Sequence, residues 1–439
     1  MLKAIAAYFE FAEHNTNFRT EFMAGVTTFL TMAYIAFVNP AILKASGMPF
    51  GAVMTATCLS AAFASILMGV YAKLPIAAAP GMGPNSYFAY SVCVVGGIAW
   101  QTALGAVFIS GVLFFILSVT GIRTKIMEAI PDSMKHGVAA GIGIFIAFIG
   151  LKNAGIIVKN DAVLVGLGDL AHPNAIVTMV GLVITAFFLA RKIRGALLWG
   201  ILITTIIAIG IGVAKRPDSL VSLPPSIMPT LGAMDIKGAL SLGLIEIIFA
   251  FFFVDLFDTI ATLIGVADQG GLMKKREDGK LYLPRAGHAL TSDACGTMVG
   301  AALGTSTVTA YIESTAGIAV GGRSGLTAVI VGFLFIVMLF FAPIISIVPA
   351  QATAPVLVIV ATFMLRNLVK IVWDDWTEAL PAVVACLAIP LTFSISNGLA
   401  LGFILYPLIK IVTGRWREAN WLVYVLGALF ILKFALLNQ

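Results

Sequence analysis

The chain has 439 residues, of which 60% are hydrophobic and 11% charged, with a formal net charge of +6 and a mean hydropathy of +1.03. Soluble domains carry about 25% charged residues, so this composition excludes a soluble globular protein and indicates a polytopic α-helical membrane protein with little mass outside the bilayer. The basic excess is explained by its distribution between loops and implies no nucleic-acid partner.

Residues 1–20, with Glu10, Glu13, His14 and Arg19, read as a cytoplasmic amphipathic lead-in rather than a cleavable signal peptide. A spanning helix needs about 20 apolar residues. Candidate spans follow in chain order at 22–43, 51–72, 99–119, 135–158, 175–190, 196–214, 239–267, 285–303, 325–348, 351–370, 378–394 and 397–412. Two further apolar segments, 77–95 and 304–320, are interrupted by Gly, Pro and Thr, and counting them gives fourteen. The organisation expected is a first repeat at 21–214, a connecting loop at 215–238, a second repeat at 239–412 and a C-terminal apolar segment at 413–439, whose topology the sequence leaves open. Cys58, Cys93, Cys295 and Cys386 lie in or beside apolar segments without CxxC or His spacing, and read as small buried hydrophobes.

Basic residues test the count. With a cytoplasmic N-terminus and both interrupted segments numbered, Lys73, Arg123, Lys125, Lys135, Arg191, Lys192, Arg194, Lys274, Lys275, Arg276, Lys280, Arg285, Arg323, Arg366 and Lys370 all fall on the cytoplasmic side. The other side holds mainly Lys44, Lys152, Lys159, Lys215, Arg216 and Lys237. This is the positive-inside bias, and it appears only if both interrupted segments count as crossings.

Those segments resemble each other. Aligning Tyr87 of the first with Tyr311 of the second gives an offset of 224 residues, and Gly105–Gly111 resembles Thr327–Gly332 at nearly the same offset. Seven crossings per repeat make the halves inverted, and interrupted helices at matching positions point to a secondary transporter's midplane site. Unpaired backbone is tolerated at that depth only where it lines a cavity. A packing kink is the competing reading of one break; two in register favour a site.

Asp255 and Asp258 share one helix face inside an apolar run. Each ionised Asp costs roughly 2.5–3.5 kcal/mol to insert. Desolvation and a neighbouring acid both disfavour ionisation, so one carboxyl is expected to keep its proton near neutral pH. Glu313 lies one turn into the second half-helix, and Asn85 occupies the matching stretch of the first, where an amide can donate and accept at once. Tyr87, Phe88, Tyr311 and Phe257 are candidates for stacking on a flat ligand, and Gly83 and Ile312 complete the set around the breaks. Glu246 falls on roughly the opposite helix face from Asp255, and Asp293 is a second-tier acid without a named partner.

The segments TTFLTMAYIAFVNP (27–40), APGMGPNSYFAY (79–90), PDSMKHGVAAGIGIFIAFIGLKNAGI (131–156), FFFVDLFDTIATLIGVA (251–267) and GTSTVTAYIESTAGIAVGGRSGLTA (304–328) resemble the nucleobase–cation symporter-2 superfamily, in particular its adenine/guanine/hypoxanthine permease branch. Pro84 departs from that pattern, where a larger apolar residue is expected. The resemblance implies an all-α membrane fold of two inverted seven-segment repeats, divided into core and gate domains, with short antiparallel strands in segments 3 and 10. It implies that Asp255 and Glu313 bind a purine, that Gly83 and Asn85 line the site, that Asp258, Asp255 and Glu313 serve proton coupling, and that the gate domain supports a homodimer.

The expectation is therefore a proton-coupled importer of hypoxanthine, guanine or adenine in the inner membrane, with its N-terminus cytoplasmic and no cofactor beyond the coupling proton. The alternative is a transporter of the same fold for uracil, xanthine or an inorganic anion; an anion site would call for a cation at the half-helix junction, where this sequence places acids. An intramembrane enzyme would need a nucleophile–base pair or a metal motif at depth, and the sequence offers neither.

Overall fold

The computed structural model describes residues 2–120, 130–217, 219–241, 245–275 and 281–437. Arg123, Lys125, Arg276 and Lys280 of the basic loops lie outside them, as does the side chain of Phe257. The helices are α1 (Leu2–Tyr8), α2 (Phe18–Met32), α3 (Ile35–Leu43), α4 (Phe50–Leu67), α5 (Met82–Ser86), α6 (Trp100–Thr120), α7 (Asp132–Asn153), α8 (Pro173–Ala190), α9 (Ala196–Ile211), α10 (Ile245–Gln269), α11 (Ala286–Leu303), α12 (Ser314–Ala319), α13 (Leu326–Met338), α14 (Ala350–Leu365), α15 (Trp376–Leu391), α16 (Ile395–Val412) and α17 (Trp421–Leu437). The longer strands are β1 (Ala78–Pro80), β2 (Ile157–Asn160), β3 (Leu164–Leu167) and β4 (Val308–Ala310), and the two-residue strands Lys274–Lys275 and Leu281–Tyr282 pair with each other. Among the described residues eight helical stretches are long and apolar enough to cross a membrane, and three shorter apolar helices accompany them.

Several expected spans change shape. The stretch 22–43 is not one helix, because the chain loosens between α2 and α3 at Ala33–Tyr34. The stretch 135–158 stops as α7 at Asn153, since Gly155 takes a left-handed turn (φ +73°) and the β-branched run after it pairs as the β2–β3 hairpin. Within and just before the run expected from 239, the described residues form a short turn of helix at Ile236–Ala239 and the long helix α10 over Ile245–Gln269.

The helices pack as two groups. One contains α2, α3, α4, α6, α10, α11, α12 and α13; the other contains α7, α8, α9, α14, α15 and α16. In the first group the end of the α4 segment meets the start of α13 backbone to backbone. A Cβ on Gly325 would stand 1.9 Å from the carbonyl oxygen of Gly69, so only glycine permits that approach. In the second, α15 and α16 form a hairpin through Thr392–Ser394. Both interrupted segments sit against the first group, and α5 also touches α7.

The lead-in is fastened rather than free. Glu10 accepts from Lys73 Nζ at 2.6 Å and from Arg285 at 2.8 Å, and Tyr8 OH donates to Val70 O at 3.1 Å. Hydrogen bonds from the two cations, Arg285 foremost, hold the Glu10 carboxyl down at about 2. This attachment is thus complete above the ordinary glutamate range and is lost only as pH falls through about 2.

Candidate substrate site

The two interrupted segments cross as strands. β1 and β4 pair antiparallel, with Ala78 opposite Ala310, Ala79 opposite Thr309 and Pro80 opposite Val308. The pairing continues at both ends, where Gly81 N donates to Thr307 O at 2.9 Å and Tyr311 N to Ala77 O at 3.0 Å. Each strand is also clamped by one hydroxyl from the helix before it. Ser65 Oγ donates to Ala78 O at 2.9 Å and accepts from Ala78 N at 3.0 Å. Thr297 Oγ1 donates to Val308 O at 3.0 Å and accepts from Val308 N at 3.1 Å. Buried backbone groups must be paired, and both strands meet that demand with the same device, at matching positions Ala78 and Val308 that lie 230 residues apart rather than the 224 of the Tyr87–Tyr311 alignment.

Beyond β1, α5 begins after Gly81 and continues as a π-helical stretch over Tyr87–Val95. Beyond β4, Tyr311, Ile312 and Glu313 lead into α12. The Tyr34 hydroxyl donates to Glu313 Oε1 at 2.6 Å, and Thr31 Oγ1 reaches the Glu313 carbonyl at 3.4 Å. Tyr34 itself is fully buried at the α2–α3 interruption, so a third break supplies the donor that orients this acid. Asp258, half-buried on α10, lies within electrostatic reach of Glu313, and the hydroxyls of Tyr34 and Tyr311 lie within reach of both. Ile312 remains 40% exposed beside this pair.

Asp255 faces a different neighbour. It is 1% exposed, and Thr297 Oγ1 stands 3.4 Å from its Oδ2. One turn on, Thr259 Oγ1 donates to Asp293 Oδ2 at 2.8 Å and lies 2.9 Å from Thr309 Oγ1 of β4. Helices α10 and α11 therefore meet through two reciprocal Asp–Thr contacts packed against the strand, which gives Asp293 the partner its sequence context lacked.

Asn85 is fully buried. Its Nδ2 donates to Asn39 Oδ1 at 2.5 Å, while Asn39 Nδ2 donates to Thr57 Oγ1 at 2.7 Å and to Thr305 Oγ1 at 2.9 Å. That chain of donors leaves Asn85 Oδ1 as a buried acceptor with no hydrogen-bond partner, next to the equally unpartnered Ser86 Oγ. A buried polar atom without a partner calls for a ligand group or water. Gly83 backs onto α7, where a Cβ would stand 2.7 Å from Ile142 Cγ2. Its absent side chain therefore lets the half-helix approach the second helix group.

The aromatic expectations change most. Tyr311 spends its hydroxyl on Pro80 O at 2.5 Å, bracing the strand crossing. Tyr87 is 2% exposed and packs edge-on against Phe251 at 5.2 Å, and Phe88 also packs against Phe251, at 6.3 Å. These side chains are thus engaged in packing and bracing contacts within the protein. The pattern reading missed Tyr34, Asn39, Ser65 and Thr297. The first two lie in the segment 27–40, as a lone Tyr and a lone Asn in an apolar run, and that polarity was their available signal.

Comparison with known proteins identifies the family and the fold. A xanthine/uracil permease model, described as "Permease family", matches residues 19–401. The chain is 54% identical to a putative permease of Methanocaldococcus jannaschii, over 100% of both chains. It is 45% identical to the adenine permease AdeQ of Escherichia coli, covering 99% of this chain and 97% of that one. It is 42% identical to the guanine/hypoxanthine permease PbuG of Bacillus subtilis, covering 98% and 99%. In fold it resembles the transmembrane domain of the cyanobacterial bicarbonate transporter BicA, at a TM-score of 0.62 and 16% identity over 88% of this chain and 97% of that one. With matches of this extent, the chain belongs to the permease family, within the nucleobase–cation symporter-2 superfamily, and is a membrane transporter rather than an enzyme.

Proposed function

We propose that this protein imports purine nucleobases by proton symport across the inner membrane, through fourteen segments arranged as two inverted repeats, with its N-terminus in the cytoplasm. The observation that carries the reading is the convergence of Asp258 and Glu313 beside the crossing of β1 and β4, with Asn85 on the facing half-helix. A purine is planar and nearly neutral, with donors and acceptors alternating along its edge. Two carboxyls and an amide oxygen are hydrogen-bonding partners for such an edge. A proton on one carboxyl would cancel the repulsion within the pair and turn that group into a donor, so proton and base would favour each other's binding. The named adenine and guanine/hypoxanthine permeases among the relatives support the same substrate class. Asp255, clamped against α11, would hold the strand crossing in register and contribute to binding from behind it.

Radiolabelled hypoxanthine uptake in a transport-deficient host tests the proposal. An imposed inward pH gradient should raise accumulation, and a protonophore should abolish it. Uptake indifferent to both would remove the coupling; no uptake of any purine base would remove the substrate class.

A further inference from the structure

At the end of the molecule remote from the basic loops, a small cluster joins the two helix groups. Ser91 Oγ donates to Phe393 O at 2.5 Å, and Asn153 Nδ2 donates to the Tyr90 hydroxyl at 2.9 Å. The Tyr90 and Phe393 rings meet edge to face at 6.5 Å. Lys152 Nζ lies 5.9 Å from the first ring and 5.6 Å from the second. Tyr90 and Ser91 belong to the π-helical stretch that continues the first interrupted segment. Lys152 and Asn153 end α7, and Phe393 is the tip of the α15–α16 hairpin.

Phe393 is held in a left-handed backbone conformation, φ +54°. A bulky residue stays there only when its surroundings over-determine it. Here Phe145 and Phe148 of α7 grip its ring edge-on at 5.0 and 5.5 Å. Joints inside the groups also use polar contacts, such as the Asp–Thr pairs between α10 and α11. This one, between the groups, consists of two hydrogen bonds and a cation over two rings, which water can replace at little cost once the groups part. Water is close at hand: Lys152 and Asn153 also line a cavity of about 320 Å³ with Asp169, His172 and Asn174. From Ser91 the same half-helix leads back to Asn85 within two turns.

We infer that Tyr90, Ser91, Lys152, Asn153 and Phe393 form the extracytoplasmic gate, a latch that seals the strand crossing from that side and must open for the site to face outward. The inference rests on the transport reading above, and it names the contacts that alternation breaks. Phe393 is the plug, and the hydrogen bonds of Ser91 and Asn153 fasten the half-helix to the second helix group.

The test uses the full-length protein with Cys58, Cys93, Cys295 and Cys386 replaced and Ile312→Cys as reporter. Intact cells are treated with a membrane-impermeant maleimide. Labelling should be slow in this parent, rise at least fivefold with Phe393→Gly and rise less with Asn153→Ala. Glycine suits the left-handed backbone, so Phe393→Gly should keep its melting temperature; should it fail to fold, Asn153→Ala carries the test. Labelling equal to the parent in the folded variants overturns the gate. In a second arm, Tyr90→Cys with Asn153→Cys is bridged by a short bis-thiosulfonate. Hypoxanthine uptake should stop and return on reduction, and uptake at the unbridged rate overturns the gate. If the protein with its native sequence takes up no purine base, the transport reading fails, while the labelling arm still reports on the latch.

Discussion

Glu313 stands immediately before α12, and one of its carboxylate oxygens is already engaged by Tyr34. In the proposed site that contact would orient the acid and leave its second oxygen to the substrate. A hydrogen bond to a charged group is worth about 1.5–3 kcal/mol. Tyr34→Phe should therefore weaken hypoxanthine binding by roughly ten- to a hundredfold, read as a raised KM in uptake with the protein still folded. Glu313→Gln and Asp258→Asn should abolish binding, measured by isothermal titration in detergent; wild-type affinity in either would show the site to be misplaced. The acids were visible in the sequence because charge at membrane depth is costly. Tyr34 was not marked in the same way, since a tyrosine in an apolar helix is ordinary until its hydroxyl is seen to reach a carboxylate from 279 residues away.

At the scale of elements, the strand crossing depends on Ser65 and Thr297, each of which satisfies both the N–H and the C=O of one strand residue. Removing either hydroxyl strands two buried backbone groups, at about 1–3 kcal/mol each. Ser65→Ala and Thr297→Val should both lower the thermal midpoint in detergent, by comparable amounts, because they occupy matching places in the two repeats. A large loss for one and none for the other would break the proposed equivalence. The broken segments themselves were legible, since Gly, Pro and Thr interrupt runs that otherwise have bilayer length. The aromatic roles were not. Tyr311 and Tyr87 sit where a stacking ring would be expected, yet one braces Pro80 and the other packs on Phe251, choices made by neighbours remote in sequence.

For the molecule as a whole, the basic loops and the helix count make one joint prediction. Reporter domains fused after Arg194 should read as cytoplasmic, and those fused after Asn160 as extracytoplasmic, in a protease-protection assay. The reverse pattern would invert the proposed orientation, and agreement at one site only would break the count of crossings. The separation into two helix groups has no signature in composition, because strongly and weakly apolar helices occur in both. Small residues such as Gly69 and Gly325 mark where backbones can approach, without saying which helix approaches which.

What the sequence by itself determined was the solvent, the helical class, the interrupted segments and the acids within apolar runs. Each of these is written in local hydropathy, charge and backbone-breaking residues, which act over one or two turns. Only the tertiary structure decided that Asp258 lies within electrostatic reach of Glu313, that Asp255 and Asp293 meet threonines between α10 and α11, and that Asn85 keeps an unpartnered acceptor. Those outcomes depend on which faces of distant helices meet, and carboxylates three residues apart on one helix differ by about 60° in direction, enough to give them different neighbours.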